Sequence, residues 1–262
     1  MKPIVTSLLL TSLLIPSLTF AQPAPVRGPL GRLPTPGTRV AASPTAAEVV
    51  AGVQQFYRGV SSVKAKFQQE VTNATFGRTD VSDGTLLIKK PGNMRWQYNA
   101  KKRKGKAAVV AKDFISNGSY LYVVDYENKQ VIKKDLKKDL LPTAITFLYG
   151  KGDLAADFTP ELDTSGKYGA KAAVVLKLVP KASSAQYKAL YLVVDPSDYR
   201  VTESIIVDGS GNTNHFRFTA PSFGAEIEDQ RFQFSERNPK MKLFRMIDGD
   251  QGVAPRTAPA AP

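Results

Sequence analysis

From Val63 onward the chain falls into short runs in which apolar and polar residues alternate with a period of two, and the sharpest pair lies on either side of Pro91-Gly92. A period of two sends successive side chains to opposite faces of a strand, so the pattern demands a sheet and excludes a helical bundle. On the second arm Met94, Trp96 and Tyr98 share one face, while Arg95 and Gln97 leave from the other. On the first arm Leu86, Ile88 and Lys90 share a face. Folding at Pro-Gly makes a β-hairpin. If the two sets face the same way, Lys90 stands at the rim of an apolar, aromatic wall that contains the only Trp of the 262 residues.

Similar runs at 63–71, 107–115, 120–125, 130–134, 172–179, 189–195, 201–208, 212–219 and 232–234 bring the series to about eleven strands, separated by Asn-Gly, Glu-Asn, Pro-Ser-Asp and Gly-Ser-Gly-Asn turns. Ahead of them Thr45-Ala46-Ala47-Glu48 is a capping box, and Ala46, Val49, Val50, Val53, Phe56, Tyr57 and Val60 follow at helical spacing. Residues 140–150 lack alternation; Pro142 near the start and Gly150 at the end suit a short apolar helix, with an apolar strand as the other reading. A meandering antiparallel sheet with one amphipathic helix before it and one apolar helix in its middle is mainly β with α. The sheet curls and the helices cover its concave face.

The ends stand apart. Residues 1–21 carry Lys2, an apolar run and the small-residue site Thr19-Phe20-Ala21, the pattern of a cleavable secretory signal peptide; a membrane anchor is the rival, disfavoured by Pro16 and the shortness of the run. Residues 22–44 are rich in Pro, Gly and Ala and read as a flexible tether, residues 251–262 as a disordered tail, and 45–250 as one folded domain. The formal charge of +13 falls by one, to +12, once Lys2 is removed. A balance so basic suits an acidic partner or an anionic surface. With no Cys, neither a disulfide nor thiol chemistry is available.

Catalysis has little to stand on. His215, the only His, alternates with Phe216 and Phe218, which places it on a polar face with Thr213 and Arg217 as a solvated strand residue. No His/Asp cluster has metal-ligand spacing, and nothing calls for a cofactor. Asp80 and Asp83 sit in a turn-rich stretch where capping or solvation accounts for them, and Gly209-Ser210-Gly211-Asn212 reads as a hairpin turn. Phe67, Leu86, Ile88, Met94, Trp96, Tyr98, Tyr120 and Tyr122, with Ile145, Phe147 and Leu148, form an apolar set with two readings: the filled core of a sandwich, or the lining of a cavity. Lys101, Lys102, Arg103 and Lys104 form a hairpin tip, either plainly solvated or docking to an acidic protein or anionic headgroup; nothing aromatic interleaves with them as nucleic-acid binding would ask.

The ordered set Val63-Lys64-Ala65-Lys66-Phe67-Gln68-Gln69-Glu70-Val71, Gly84-Thr85-Leu86-Leu87-Ile88-Lys89-Lys90-Pro91, Arg95-Trp96-Gln97-Tyr98, Ser116-Asn117-Gly118-Ser119-Tyr120-Leu121-Tyr122, Leu178-Val179-Pro180-Lys181 and Asp208-Gly209-Ser210-Gly211-Asn212 resembles the outer-membrane lipoprotein carrier protein LolA family, over about residues 45–240. The resemblance implies an open, incomplete barrel of eleven strands under a helical lid. It implies a monomeric periplasmic carrier that takes acylated lipoproteins from an inner-membrane ABC-type transporter and hands them to an outer-membrane receptor. On that reading the apolar set lines an acyl-chain cavity and Lys90 is the lid latch, standing where the family has Arg; Met94 stands where an aromatic is typical. Carriage of another lipid, or a lipid- or protein-sensing module of related fold, are the alternatives.

Overall fold

The computed structural model describes residues 43–100, 109–136, 153–182, 187–235 and 237–250. The expected leader, most of the tether, the basic tip Lys101, Lys102, Arg103 and Lys104, the apolar segment with Ile145, Phe147 and Leu148, and the tail all lie outside them.

Helix α1 (Ala46–Gly59) begins as its sequence dictates. Thr45 Oγ1 accepts from the Glu48 N–H at 3.3 Å, and Glu48 Oε2 accepts from the Thr45 N–H at 2.7 Å, so two amides at the helix start are satisfied reciprocally. Its buried face is Val49, Val50, Val53 and Tyr57. Gly52 lets it approach the turn that carries Tyr199: a Cβ there would stand 2.4 Å from the Tyr199 ring.

The strands follow in order: β1 (Ser62–Asn73), β2 (Arg78–Lys89), β3 (Asn93–Asn99), β4 (Val110–Asn117), β5 (Tyr120–Asp125) and β6 (Gln130–Asp135), then, after the short helix α2 (Leu154–Asp157), β7 (Phe158–Leu162), β8 (Val174–Pro180), β9 (Ala189–Val194), β10 (Val201–Val207), β11 (Thr213–Phe223) and β12 (Arg245–Asp248). They form a single sheet ordered β12-β6-β5-β4-β3-β2-β1-β11-β10-β9-β8-β7. Every pairing is antiparallel except β12 with β6. β12 and β7 are the two edges, so the sheet is open. Residues from β3, β8, α1 and α2 nevertheless meet in one buried cluster, which requires the sheet to curl around the helices.

Register sets the faces. The pairings Ala65↔Leu86↔Trp96↔Phe114↔Val123 and Val63↔Ile88↔Met94↔Ser116↔Leu121 run across the sheet with their side chains on the concave, helix-covered side. Leu87, Ile115, Tyr122, Val124 and Val131 take the other side, where the chain after β11 covers them. Ile227 and Phe232 pack on Leu87, Phe234 stacks on Tyr122 with ring centroids 4.7 Å apart, and Met241 joins Ile115 and Val124.

Three expectations are corrected here. Residues 232–234 are not a strand: Asp229–Phe232 is a 3₁₀ turn, because Phe232 and Phe234 fill separate places on the convex face rather than alternating across a ladder. β7 and β12 stand where no strand was expected, and Pro160 is admitted to β7 because that strand is an edge. Asp80 and Asp83 belong to strand β2, not to a turn; Asp80 pairs with Arg78 at 2.9 Å and Asp83 accepts from Asn99 at 2.7 Å.

Gly84 pairs opposite both Phe67 and Tyr98, and the Phe67 ring lies over it; a Cβ there would stand 2.0 Å from the Gln97 carbonyl oxygen and 2.6 Å from the ring. Gly84→Ala is expected to cost about 1–3 kcal/mol through overpacking, seen as a fall of several degrees in Tm with the far-UV spectrum retained. An unchanged Tm would show that the strand backbone and the ring both give way freely. The capping box gives a pH signature. The Thr45 backbone N–H, and then its hydroxyl, hold the Glu48 carboxyl below its ordinary value of 4.5. A pKa depressed on folding means that this capping contribution is present above the ordinary value and is lost as pH falls through the folded one. NMR titration is expected to find the Glu48 midpoint below 4.5, and Thr45→Ala, which keeps the backbone N–H and loses the hydroxyl, is expected to return it part of the way; an equal midpoint in both proteins would show that the hydroxyl adds nothing to the cap.

Candidate functional site

The concave face is floored by aromatic rings. Phe67 of β1 lies 5.1 Å from Trp96 of β3, 4.9 Å from Tyr98 and 5.8 Å from Phe216 of β11, centroid to centroid; Trp96 is 5.1 Å from Phe216 and 6.2 Å from Phe218. Tyr98 reaches on to Phe114 of β4 at 5.6 Å. Tilted and edge-on pairs of this kind add about 0.5–1.5 kcal/mol each beyond the area they bury, so the floor is rigid as well as apolar. Burial pushes the Tyr98 hydroxyl up to about 12, so it stays a neutral donor throughout the physiological range.

Of the expected lining, Phe67, Leu86, Ile88, Met94 and Trp96 are brought together, each buried in the same cluster as Val49, Val50, Val53 and Tyr57 of α1, and Tyr98 packs against them half-buried. Tyr120 and Tyr122 are not. The register Ile115↔Tyr122 places them on the convex side, where Tyr122 stacks on Phe234 and Tyr120 is exposed beneath the Lys133 ammonium, 4.4 Å from the ring centroid. Leu121 and Val123 take the inward positions of that strand. The residues missed were Phe114, Phe216 and Phe218; the alternation of Phe216 and Phe218 against His215 was the signal available, since it set both rings on the face away from the polar one.

Lys90 stands at the end of β2, beside the last turn of α1. Its Nζ donates to the Tyr57 carbonyl oxygen and, at 3.2 Å, to that of Arg58. These are carbonyls of the last helical turn, at the negative end of the macrodipole, so an ammonium is the fitting donor. Burial lowers the Lys90 pKa from the ordinary lysine value. Tyr57 adds a second tie, its hydroxyl accepting from the Val201 N–H of β10 at 3.2 Å; burial raises its own pKa.

His215 is not solvated. It is buried on the convex face, with Nε2 2.6 Å from Glu203 Oε2 and its ring 6.0 Å from that of Tyr168. Its described polar partners are Glu203 and Arg217. Among the described residues no three His, Asp or Glu side chains are grouped to hold a metal ion. What the face can do is pack against apolar surface.

The model of the family "Outer membrane lipoprotein carrier protein LolA" matches residues 58–235. An outer-membrane lipoprotein carrier protein of Chromobacterium violaceum is 26% identical over 194 residues, covering 74% of this chain and 86% of that one. One from Cupriavidus pinatubonensis is 26% identical over 186 residues, covering 70% and 81%. Among solved structures, a LolA superfamily protein from Nitrosomonas europaea aligns over 73% of this chain and 99% of its own, at 13% identity and a TM-score of 0.38. The span of the family match, running from the end of the helix that Lys90 grips to the convex-face aromatics, makes this chain a member of the LolA family of outer-membrane lipoprotein carrier proteins.

Proposed function

We propose that the protein is a non-enzymatic periplasmic carrier that shields the acyl chains of lipoproteins released by an inner-membrane ABC-type transporter and delivers them to an outer-membrane receptor. The observation that carries this reading is the aromatic floor of Phe67, Trp96, Tyr98, Phe216 and Phe218 under a helix whose end is tied down by Lys90.

Magnitudes favour such a device. Burying an acyl chain gains about 0.8 kcal/mol per CH₂, so a chain of about fifteen methylenes gains on the order of 10 kcal/mol before ordering costs. Hydrogen bonds to a charged donor contribute about 1.5–3 kcal/mol each, less at a partly exposed site such as this one. One chain is therefore enough to displace the latch. The latch sets a threshold rather than a barrier, and it returns part of its free energy when cargo leaves. Cargo transfer then needs no chemistry, only a receiving partner with a more favourable site.

The same floor would accept other lipids, and mass spectrometry of noncovalent complexes from the periplasm separates the readings. Lipoproteins are expected on the parent protein and absent from Trp96→Glu, which places a carboxylate in the middle of the rings. Folded Trp96→Glu that still carries lipoprotein would remove the floor from the binding site, and free phospholipid alone on the parent would replace the cargo. Lys90→Met is expected to raise amide hydrogen exchange in α1 by about tenfold, equivalent to the loss of roughly 1.4 kcal/mol of closing free energy, while Lys90→Arg keeps the protection. Equal exchange in parent and Lys90→Met would show that α1 is held by its apolar face alone.

A further inference from the structure

The concave face changes character along β1. Its inward residues run Val63, Ala65 and Phe67 and then turn polar at Gln69. There Ser82 Oγ donates to Gln69 Oε1 at 3.2 Å, and Gln69 Nε2 donates to Asn214 Oδ1 at 2.8 Å. One neutral bridge thus crosses β2, β1 and β11, immediately beyond the rings of Phe67 and Phe216. A hollow lies on each side of it. One, of about 490 Å³, is bounded by Tyr98, Phe114, Gln69, Ser82, Asp83 and Lys112; the other, of about 400 Å³, by Val71, Tyr187, Ile206, Thr213 and Asn214. Each has aromatic surface within and amide, hydroxyl or charged groups without.

We propose that this bridge and its two hollows receive the neutral, amide- and ester-bearing head of an acylated peptide, with the acyl chains running from it over Phe67, Trp96 and Phe216 toward α1. The inference rests on the carrier reading and adds a direction of loading and a preference among heads. A methylene chain laid across Gln69, Ser82 and Asn214 would strip water from their free hydrogen-bonding capacity and return nothing, at about 1–3 kcal/mol for each group left unsatisfied. An ester carbonyl or peptide amide in the same place restores those bonds. The opposite end of β1 and β2 offers no such exit, because the end of α1 and Lys90 occupy it. Among the described residues the cations nearest the bridge are paired, Lys112 with Asp125 at 3.4 Å and Arg78 with Asp80 at 2.9 Å. The bridge itself is amide and hydroxyl, and Asp83, Glu127 and Asp208 line its hollows, so it suits a neutral head rather than a phosphate.

The test uses the mature chain with two probes, a synthetic tripalmitoylated cysteinyl peptide and palmitate, followed by Trp96 fluorescence. Gln69→Leu, and separately Asn214→Leu, are expected to weaken the lipopeptide about tenfold while changing palmitate affinity less than twofold. Because the natural chain has no cysteine, a maleimide placed on the peptide of the probe reports direction. It is expected to couple to Ala100→Cys, at the rim of the larger hollow, and not to Ser119→Cys, in the turn at the other end of the strands. Coupling at Ser119→Cys, or equal losses for both ligands in folded Gln69→Leu, would overturn the head site while leaving the carrier reading intact. A parent protein that binds neither probe would overturn both.

Discussion

The pairing of β1 with β11 is the contact on which the architecture depends. It joins strands that lie far apart in sequence and turns two meanders, β6 to β1 and β11 to β7, into one surface. A slip of one residue would send Phe67 and Gln69 to the convex side and Glu70 into the apolar cluster, so both faces must hold the register. They do so with different chemistry. On the concave side Phe67 meets Phe216, and Gln69 bridges to Asn214; on the convex side Arg217 Nη1 donates to Glu70 at 2.6 Å and its Nε lies 3.7 Å from Glu203, which also holds His215. These half-buried ion pairs contribute modest free energy each. Their use is that they are satisfied in this register alone, while the rings supply the burial.

The convex face has a cover of its own, the chain after β11. That segment lies over the convex face from β2 to β6, placing Ile227, Phe232, Phe234 and Met241 in sequence on Leu87, Tyr122 and Ile115. Arg95 fastens it. Its Nη2 donates to the fully buried Asp113 at 2.6 Å, its Nε lies 3.1 Å from both oxygens, and its Nη1 donates to the Arg231 carbonyl at 2.9 Å. Burial pushes the Asp113 pKa up and Arg95 opposes the shift. Such a pair adds modest net stability but is costly to break on one side. It therefore fixes where the covering segment sits more than how tightly. Lys89, next to the latch residue, donates to Ile227 O at 2.8 Å and Asp229 at 2.6 Å, so two successive lysines hold opposite faces: Lys89 the convex cover, Lys90 the helix over the concave side.

The parts of this arrangement legible in the sequence were those written locally. The Thr45–Glu48 cap, the period-two arms around Pro91-Gly92 and the basic residue at the rim of the Trp96 wall each follow from neighbours within a few positions. What failed was absolute parity. Tyr120 and Tyr122 share a face with each other in any strand, but which face depends on how the Asn117–Ser119 turn sets β5 against β4, and that register puts Leu121 and Val123 inward. Phe232 and Phe234 alternate like strand residues because each answers to a different convex site. β12 is four residues long and pairs in parallel with β6, a non-local choice that carries no turn signal of its own.

The lysine latch fits this geometry better than its lack of a planar fork suggests. An arginine fork favours two acceptors held side by side in one plane, as a carboxylate presents them. The acceptors here are carbonyls of consecutive residues, Tyr57 and Arg58, at the last turn of a helix, where successive C=O groups diverge around the axis. A rotatable ammonium with three donors can reach both without demanding that they be coplanar. The cost is selectivity: nothing in a point charge distinguishes these carbonyls from others that the helix end would offer after a small shift. A helix end held in this way can shift a little while the same donor re-forms its bonds. On the carrier reading proposed above, that freedom would let cargoes of different chain number displace the helix by different amounts.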